Sequence, residues 1–568
     1  MKRIVSVLAL ILVISFCAPG LFTGCVPEDV INELPPPEPD PEPGEDPGED
    51  VKGNVAGTVT DIDGNPLEGV VVSDGLQSVK TDAKGRFGMD SDREKLKFVF
   101  VSTPSGYEPE VEKGLPKFYI PVAGKSGDAL RTLNFTLKPV DQTRYTLFMT
   151  ADPQPRASGA GYDKIGYHSL DCCADMYRDL KESAVVLDGA VYGICLGDIV
   201  HENMGLYQNY VTGLSTLGYP TWNVIGNHDN DTTAEDDDGG AAKFESWFGP
   251  RNYSFNLGSI HYVVLDNLIM YKAEGSTKMS SYYQGLTDDI WKWLQSDLAM
   301  VPKSATVAVC THSPMFRLIS GSERSTNSGT RHGKDYAALL KTFAKVHAWA
   351  GHTHTTFNYI YPSDGLYPNI EVHTLSRTTG ELWTNEYLAS GTPRGYTVVE
   401  VDGDNIQWHF RPIRYQTARL VPSTGPDYLL RDWSYDSSGK AVFPDGTYLN
   451  DSYQIHAYPP GTYPGDQRVY ANVFLWDEAW GDVTFTPAAG AQVKMERVTD
   501  SGRYDAAMGE ISGFYKLNSP TLAADSGYSA LSTGNTNTLF RCNPGSAKSG
   551  RISVTDRFGK TWTRDISW

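Results

Sequence analysis

The chain reads as a multi-domain protein, with a central α/β domain held between an N-terminal and a C-terminal β-sandwich domain. Three observations predict this. Between about residues 144 and 413, short apolar runs alternate with helically spaced stretches, and each run ends at or beside a polar block. On either side, β-branched and aromatic segments are broken at short intervals by Gly, Pro and Asp turns. At 568 residues, the chain also exceeds what one hydrophobic core usually serves.

Residues 1–24 have the form of a secretory signal peptide. Lys2 and Arg3 precede an apolar run from Ile4 to Phe16, and LFTGC follows, ending at Cys25. A Cys directly after Gly24 resembles a bacterial lipobox, which implies that Cys25 is the lipidated first residue of the mature chain. Residues 25–52 then form a linker. Its positions 26–50 carry eight prolines, ten acidic residues and no Lys or Arg. Such a segment buries too little apolar surface to fold and stays extended, spanning up to ~75 Å at about 3.1 Å per residue. The expected location is the envelope of a Gram-negative bacterium, lipid-anchored on the periplasmic face or the cell surface.

Residues 53–140 are predicted as a small antiparallel sandwich. Alternating β-branched residues are punctuated by Asp63-Gly64 and Asp74-Gly75. The stretches DGNPLEGV and TDAKGRF resemble carboxypeptidase-regulatory-like domains, and the segment carries no acid–base cluster, so a spacer or docking role is expected. Over 144–413 the runs YTLFMTA, VYGICLG, TWNVIG, HYVVLDN, TVAVCTH and AWAG are predicted strands, and 162–185, 287–300 and 334–347 have helical spacing. Thr287 before Asp288 and Asp289 marks a helix start. Residues 414–568 revert to β-type segments such as RVYANVFLW and GRISVTDRFG. Trp476, Trp480 and Tyr504 there are expected to pack within the domain. Of the seven cysteines, Cys17 belongs to the leader and Cys25 is the expected anchor. Cys195 and Cys310 sit in apolar runs where a thiol packs as a small hydrophobe, and no disulfide framework is expected.

The chemistry is concentrated in ADPQ (151–154), GDIV (197–200), GNHD (226–229), THSP (311–314) and GHTH (351–354). Each block supplies Asp, Asn or His, the ligand types that hold paired metal ions for hydrolysis. Each also follows a predicted strand, where α/β sheets place their sites. His352 and His354 are two apart at a strand end, a spacing that would turn both imidazoles to one side.

These blocks, in this order, resemble the calcineurin-like metallophosphoesterase superfamily, and the flanks resemble bacterial lipoproteins of that superfamily through GTPRGYTVVEVDG and VTDRFGKTW. The resemblance implies a β-sandwich core flanked by helices and two divalent ions (Mn, Fe, Zn or Mg). By the same resemblance, Asp198 would bridge the ions. Asp152 and His354, with Gln154 beside them, would complete the first site; Asn227, His312 and His352 would complete the second. His228 would be the general acid in phosphate-ester hydrolysis by metal-bound hydroxide, oriented by Asp229. Gln154 stands where the superfamily usually has His, and an amide is a weaker zinc donor. The first site is therefore expected to be weak or to favour a harder ion, with Gln154→His tightening zinc.

Substrate contacts are expected from His201, Arg331 and His373, whereas His261 is expected to be structural. The segment 230–240 is predicted to be a mobile loop beside GNHD, and 318–333 a lid bearing Arg324 and Arg331. The expected substrate is a phosphorylated small molecule or phosphoester, monoester or diester. With a formal net charge of −20, half of it in the linker, and no basic run, nucleic-acid binding is not expected, and the membrane is met only through the anchor. The competing reading is a non-catalytic cell-surface binding lipoprotein with a degenerate or structural metal site.

Overall fold

The computed structural model describes residues 47–48, 50–157, 169–319, 323–326, 330–359, 367–380, 387–388, 390–416, 433–463, 465–499 and 536–568. The leader, Cys25 and most of the linker, residues 320–322 and 327–329 of the predicted lid, and Tyr504 lie outside them. Among the described residues, no helix is long and apolar enough to cross a membrane.

Two mixed sheets form the centre. One runs Thr221–Asn223, Ala190–Cys195, Arg144–Thr150, Gly395–Asp402, Asn405–Pro412, its first three strands parallel. The other runs Tyr253–Leu257, Ile260–Leu265, Thr306–Thr311, Lys345–Ala350, Ile370–Thr374, Phe357–Tyr359, with four parallel strands between antiparallel edges. Their strands are apolar over nearly their full length, as parallel strands buried on both faces require. The sheets meet across a shared core, where Trp222 stacks on Phe255 at 4.2 Å and the hydroxyls of Tyr145 and Tyr262 lie 2.9 Å apart.

Helices cover this pair of sheets. Ser169–Val185 is fixed by Asp179, which accepts hydrogen bonds from the Tyr396 hydroxyl (2.8 Å) and the Arg414 guanidinium (2.8 Å). Asp288–Leu298 starts where Thr287 predicts, the threonine oxygen accepting from Ile290 N. The expected helix 334–347 is shorter, Gly333–Leu340, because Lys345 already begins a strand. The acidic segment beside GNHD differs from expectation. Its carboxylates build a helix start: Asp236 accepts from Gly239 N at 2.8 Å, and Asp237 and Asp238 occupy the positive first turn of Asp237–Phe248.

That turn is tied down by the buried Arg251, which pairs with Asp237 (3.0 Å), Asp266 (2.9 Å), Glu245 (3.3 Å) and Asp238. Removing one partner of a buried ion network strands the others without compensation. Arg251→Met is expected to cost about 3–5 kcal/mol in urea unfolding; a loss under about 1 kcal/mol would show that water reaches these carboxylates.

The N-terminal module is two four-stranded sheets. It is not wholly antiparallel: Val55–Asp61 pairs with Phe135–Pro139 in parallel. Nor is it a free spacer. Trp293 Nε1 donates to Ser73 Oγ (3.0 Å), Phe118 packs on Tyr253 at 4.6 Å, and Phe100 lies against Trp293, so its core is continuous with the central one. Its first strand needs no side chain at Gly57, where a Cβ would fall 1.8 Å from Leu133 O.

Among its described residues the C-terminal module has two four-stranded sheets, with a core that includes Val469, Phe485, Ile552 and Trp562, and a short pair, Ser434–Tyr435 with Ala441–Val442. Trp476 packs edge-on to Phe540, and Trp480 Nε1 donates to Asp477, so neither is a free aromatic platform. Asp477 is fully buried, and desolvation raises its pKa to about 7 despite the Ala479 N–H it accepts. Because the folded value lies above the unfolded one (about 3.9), the folded state holds this proton more tightly. Its contribution is therefore full below about pH 4 and lost as pH rises through 7. Asp477→Asn should flatten the fall in melting temperature between pH 5 and pH 8; an equal fall in both proteins would contradict the assignment. All five cysteines among the described residues are buried thiols.

Candidate metal centre

Five strand ends converge on one point. Asp152 follows Arg144–Thr150, Asp198 follows Ala190–Cys195, Asn227 follows Thr221–Asn223, His312 follows Thr306–Thr311, and His352 and His354 follow Lys345–Ala350. The loops are bound to one another by their backbones: Asp152 N donates to Gly197 O (3.1 Å), Gln154 N to Asp198 O (3.0 Å) and Gly351 N to His312 O (2.9 Å).

The side chains close the arrangement. His312 Nε2 lies 3.2 Å from Asp198 Oδ2 and 3.3 Å from His352 Nδ1, and His354 Nε2 lies 3.5 Å from Asp152 Oδ1. Two overlapping groups with metal-ligand spacing result, Asp198–His312–His352 and Asp152–Asp198–His354. Asp152, Asp198 and His312 are all but sealed from solvent. Burial alone would keep His312 neutral, but the Asp198 carboxylate outweighs it and raises the imidazole to about 10 in the ion-free state.

Two histidines are oriented from behind, which fixes the nitrogen each presents. His312 Nδ1 faces the Leu196 carbonyl at 2.7 Å, so it keeps its proton, and Nε2 is the nitrogen that would lose its proton to offer a lone pair inward to an ion. His352 turns Nδ1 inward while Nε2 meets the Tyr282 hydroxyl at 2.9 Å. Tyr282 was not singled out from sequence, because it comes from a separate hairpin, Leu268–Tyr271 with Ser281–Gln284. Asn227 Oδ1 is buried with no hydrogen-bond partner, an arrangement that a cation would satisfy. The donor set of carboxylate, amide oxygen and imidazole therefore fits divalent ions.

Backbone strain marks the same place. Nine non-glycine residues among those described have positive φ, and Asp152 (50°), Gln154 (39°), Asp198 (50°), Glu202 (57°), His352 (67°) and His354 (53°) are six of them. Such conformations persist where surrounding structure enforces them, and they concentrate at functional sites. His352 and His354 thus lie beyond their strand in left-handed turns, so strand alternation is not what aligns them. Gly197 has φ +87°, and a Cβ on Gly226 would fall 2.2 Å from Asp198 Oδ1, so neither position accepts a side chain.

Other expected roles are redistributed. Asp229 does not orient His228. Its carboxylate accepts from Gly226 N (2.9 Å), Ile199 N (3.1 Å), Val200 N (3.2 Å) and the Tyr207 hydroxyl (3.2 Å), stapling GNHD to GDIV. Glu202 faces His228 instead, 3.5 Å from Nδ1, and helps raise the imidazole pKa against the opposing effect of burial. Its place beyond GDIV put it outside the recognised block. His201 stacks beside His228 at 4.1 Å.

Gln154 turns its amide nitrogen, not its oxygen, to the centre: Nε2 donates to Asp198 Oδ2 at 2.7 Å because Arg377 Nε holds Oε1 at 3.1 Å. Arg331 is paired with Asp288 (2.7 Å), and His332 also reaches that carboxylate. His373 packs away from the ligand groups, with Nδ1 to Asn358 Oδ1 (2.9 Å), Nε2 to His347 (3.1 Å) and its ring stacked on Trp349. His261 is buried between Asn256 and Asp297, as its apolar run predicts. The Arg324 side chain lies outside the described residues.

With that geometry established, two family models match: the N-terminal part of calcineurin-like phosphoesterases over residues 53–140, and the C-terminal part over 373–562. These two matches support the calcineurin-like metallophosphoesterase superfamily as the family of this chain. Its fold is of the metallophosphoesterase type, with many sheets and few helices, and the superfamily is one of phosphoester hydrolases. The C-terminal match begins inside the second central sheet and takes in Gly395–Asp402 and Asn405–Pro412, the strands that complete the first.

Solved structures that resemble it include a purple acid phosphatase from yellow lupin (Lupinus luteus) seeds, at 13% identity over 48% of this chain and 52% of that one, TM-score 0.33. PhoD resembles it at 11% identity over 63% and 83%, TM-score 0.33. A 5'-nucleotidase from Candida albicans does so at 12% identity over 47% and 52%, TM-score 0.25. The chain thus spans about half the length of the lupin and Candida proteins. No curated protein sequence matches it significantly.

Proposed function

We propose that the chain hydrolyses a phosphate ester at a pair of divalent ions held by Asp152, Asp198, Asn227, His312, His352 and His354. The observation that carries this reading is the convergence of Asp152, Asp198, His312, His352 and His354 in two overlapping groups, beside a GNHD turn whose Asn227 Oδ1 is buried and unpartnered. When bound, such ions neutralise phosphoryl oxygens and make water acidic enough to supply a nucleophile at neutral pH. The protein's own part is positional. Leu196 O and Tyr282 fix the inward nitrogens of His312 and His352. His228 N donates to Asp198 Oδ1 at 2.9 Å, which sets GNHD against GDIV. His228 Nδ1 points its proton at Glu202, leaving Nε2 to deliver the second proton to the departing oxygen.

The test is metal content by mass spectrometry together with phosphatase and phosphodiesterase turnover. Two ions per chain with turnover support the reading, and the better ester class names the substrate type. One ion or none, with no turnover after manganese is added, would favour the non-catalytic binding lipoprotein instead.

The location follows from Cys25. We place the chain on the cell envelope, tethered by lipid through the acidic linker. Radiolabelled palmitate should enter the wild-type protein and not Cys25→Ser; equal labelling of both would remove the anchor.

A further inference from the structure

Arg377 is one of the largest fully buried side chains in the protein, and it lies against the metal-ligand loop. The segment that carries it is pinned there. Thr378 N donates to Ala151 O (2.9 Å), Thr378 Oγ1 donates to the same carbonyl (3.0 Å), and Thr379 Oγ1 donates to Pro153 O (2.8 Å). The guanidinium then reaches Gln154 twice, Nε to Oε1 at 3.1 Å and Nη2 to the backbone carbonyl at 3.4 Å, while Nη1 donates to Gly380 O.

This fixes which end of the Gln154 amide faces inward. A guanidinium offers only donors, so it must meet the amide oxygen. The amide nitrogen is left to donate to Asp198 Oδ2 at 2.7 Å. Turning the amide over would set donor against donor at Arg377 and oxygen against carboxylate at Asp198, two repulsive contacts in a site where neither residue is exposed. An amide N–H₂ group has no lone pair for a metal ion. The always-charged guanidinium beside it also opposes a second cation.

We infer that Arg377 makes the two metal positions unequal, by holding Gln154 with its nitrogen inward and so withdrawing one ligand from the Asp152–His354 position. The inference rests on the proposed metal centre. The position formed by Asp198, Asn227, His312 and His352 keeps a full four-ligand set and binds its ion tightly. Among the described residues the other has Asp152, Asp198 and His354, and it fills weakly, from free hard ions such as manganese or magnesium. Arg377 is a positioning residue for metal affinity; it acts through Gln154. Gln154→His alone would set an imidazole against the same guanidinium, so exchanging the ligand does not restore the site while Arg377 remains.

The experiment is calorimetric titration of the metal-free full chain with manganese, with bound ions counted by mass spectrometry. The wild type should show one tight step and one weak step. Arg377→Met frees the amide to turn its oxygen inward, and Gln154→Glu gives one oxygen to Arg377 and one to the ion. Each should tighten the weak step by about tenfold or more and leave the tight one unchanged, a range typical of changes behind metal ligands. Should Arg377→Met fail to fold, Gln154→Glu tests the same point with the arginine in place. Two equal steps in the wild type, or an unchanged weak step in the folded variants, overturn the inference while leaving the hydrolase intact. No binding step at all overturns the metal centre and the inference together.

Discussion

Asp198→Asn is expected to lower turnover on phosphomonoesters and diesters alike and to strip the proposed ions from the purified chain. No other side chain is so central: Asp198 belongs to both ligand groups, stands 3.2 Å from His312 Nε2, accepts the Gln154 amide and accepts the His228 backbone N–H. The substitution keeps the volume and one of these two accepted hydrogen bonds, because the new amide nitrogen cannot accept, and unchanged circular dichroism checks that the fold survives. The charge is what goes. The proposed two-ion site loses the one carboxylate common to both ligand groups, where even an orienting partner behind a ligand typically costs 10- to 100-fold in affinity. The expected fall in turnover is about 10³-fold or more, comparable with the loss of a whole electrostatic clamp. Metal retained at the wild-type ratio would show that Asp198 is not the shared ligand.

His228→Ala is the second large effect, and its signature is selectivity. A general acid matters in proportion to how badly the leaving group needs a proton, typically 10²–10⁴-fold. Alkyl phosphates should lose turnover across about that range, whereas activated aryl phosphates should lose less than about tenfold. Glu202→Gln should then lower the upper arm of the pH profile, since Glu202 supports the raised imidazole pKa. Metal content should stay normal in both variants. Equal loss on both substrate classes would assign His228 to binding.

Much of this was legible in the sequence because it is local. Apolar runs that end in polar blocks mark parallel strands with chemistry at their C-terminal ends, and each block lies where that rule puts it. Hidden from that reading were the partners brought in from elsewhere. Tyr282, Arg377 and the backbone of Leu196 decide which atom each ligand presents, yet they come from distant segments with no pattern of their own. The role expected of Asp229 came from the resemblance, and what the sequence hides is that its carboxylate is taken up by the N–H groups of Gly226, Ile199 and Val200 and by the Tyr207 hydroxyl. The helix Asp237–Phe248 was missed because its acidic start and paired glycines mimic a loop until Arg251, beyond its end, neutralises it.

The pairing of Arg144–Thr150 with Gly395–Asp402 has a consequence for biosynthesis. A ribosome releases the first of these strands long before the second, so half of its backbone hydrogen bonds wait on residues near the far end of the central domain. Contacts of such sequence separation form slowly. The segment that braces the Asp152 loop, Thr378 and Arg377, is released just as late. A nascent or truncated chain therefore holds the ligands without their framework, and the capacity to sequester metal is acquired only when synthesis of the central domain is nearly complete.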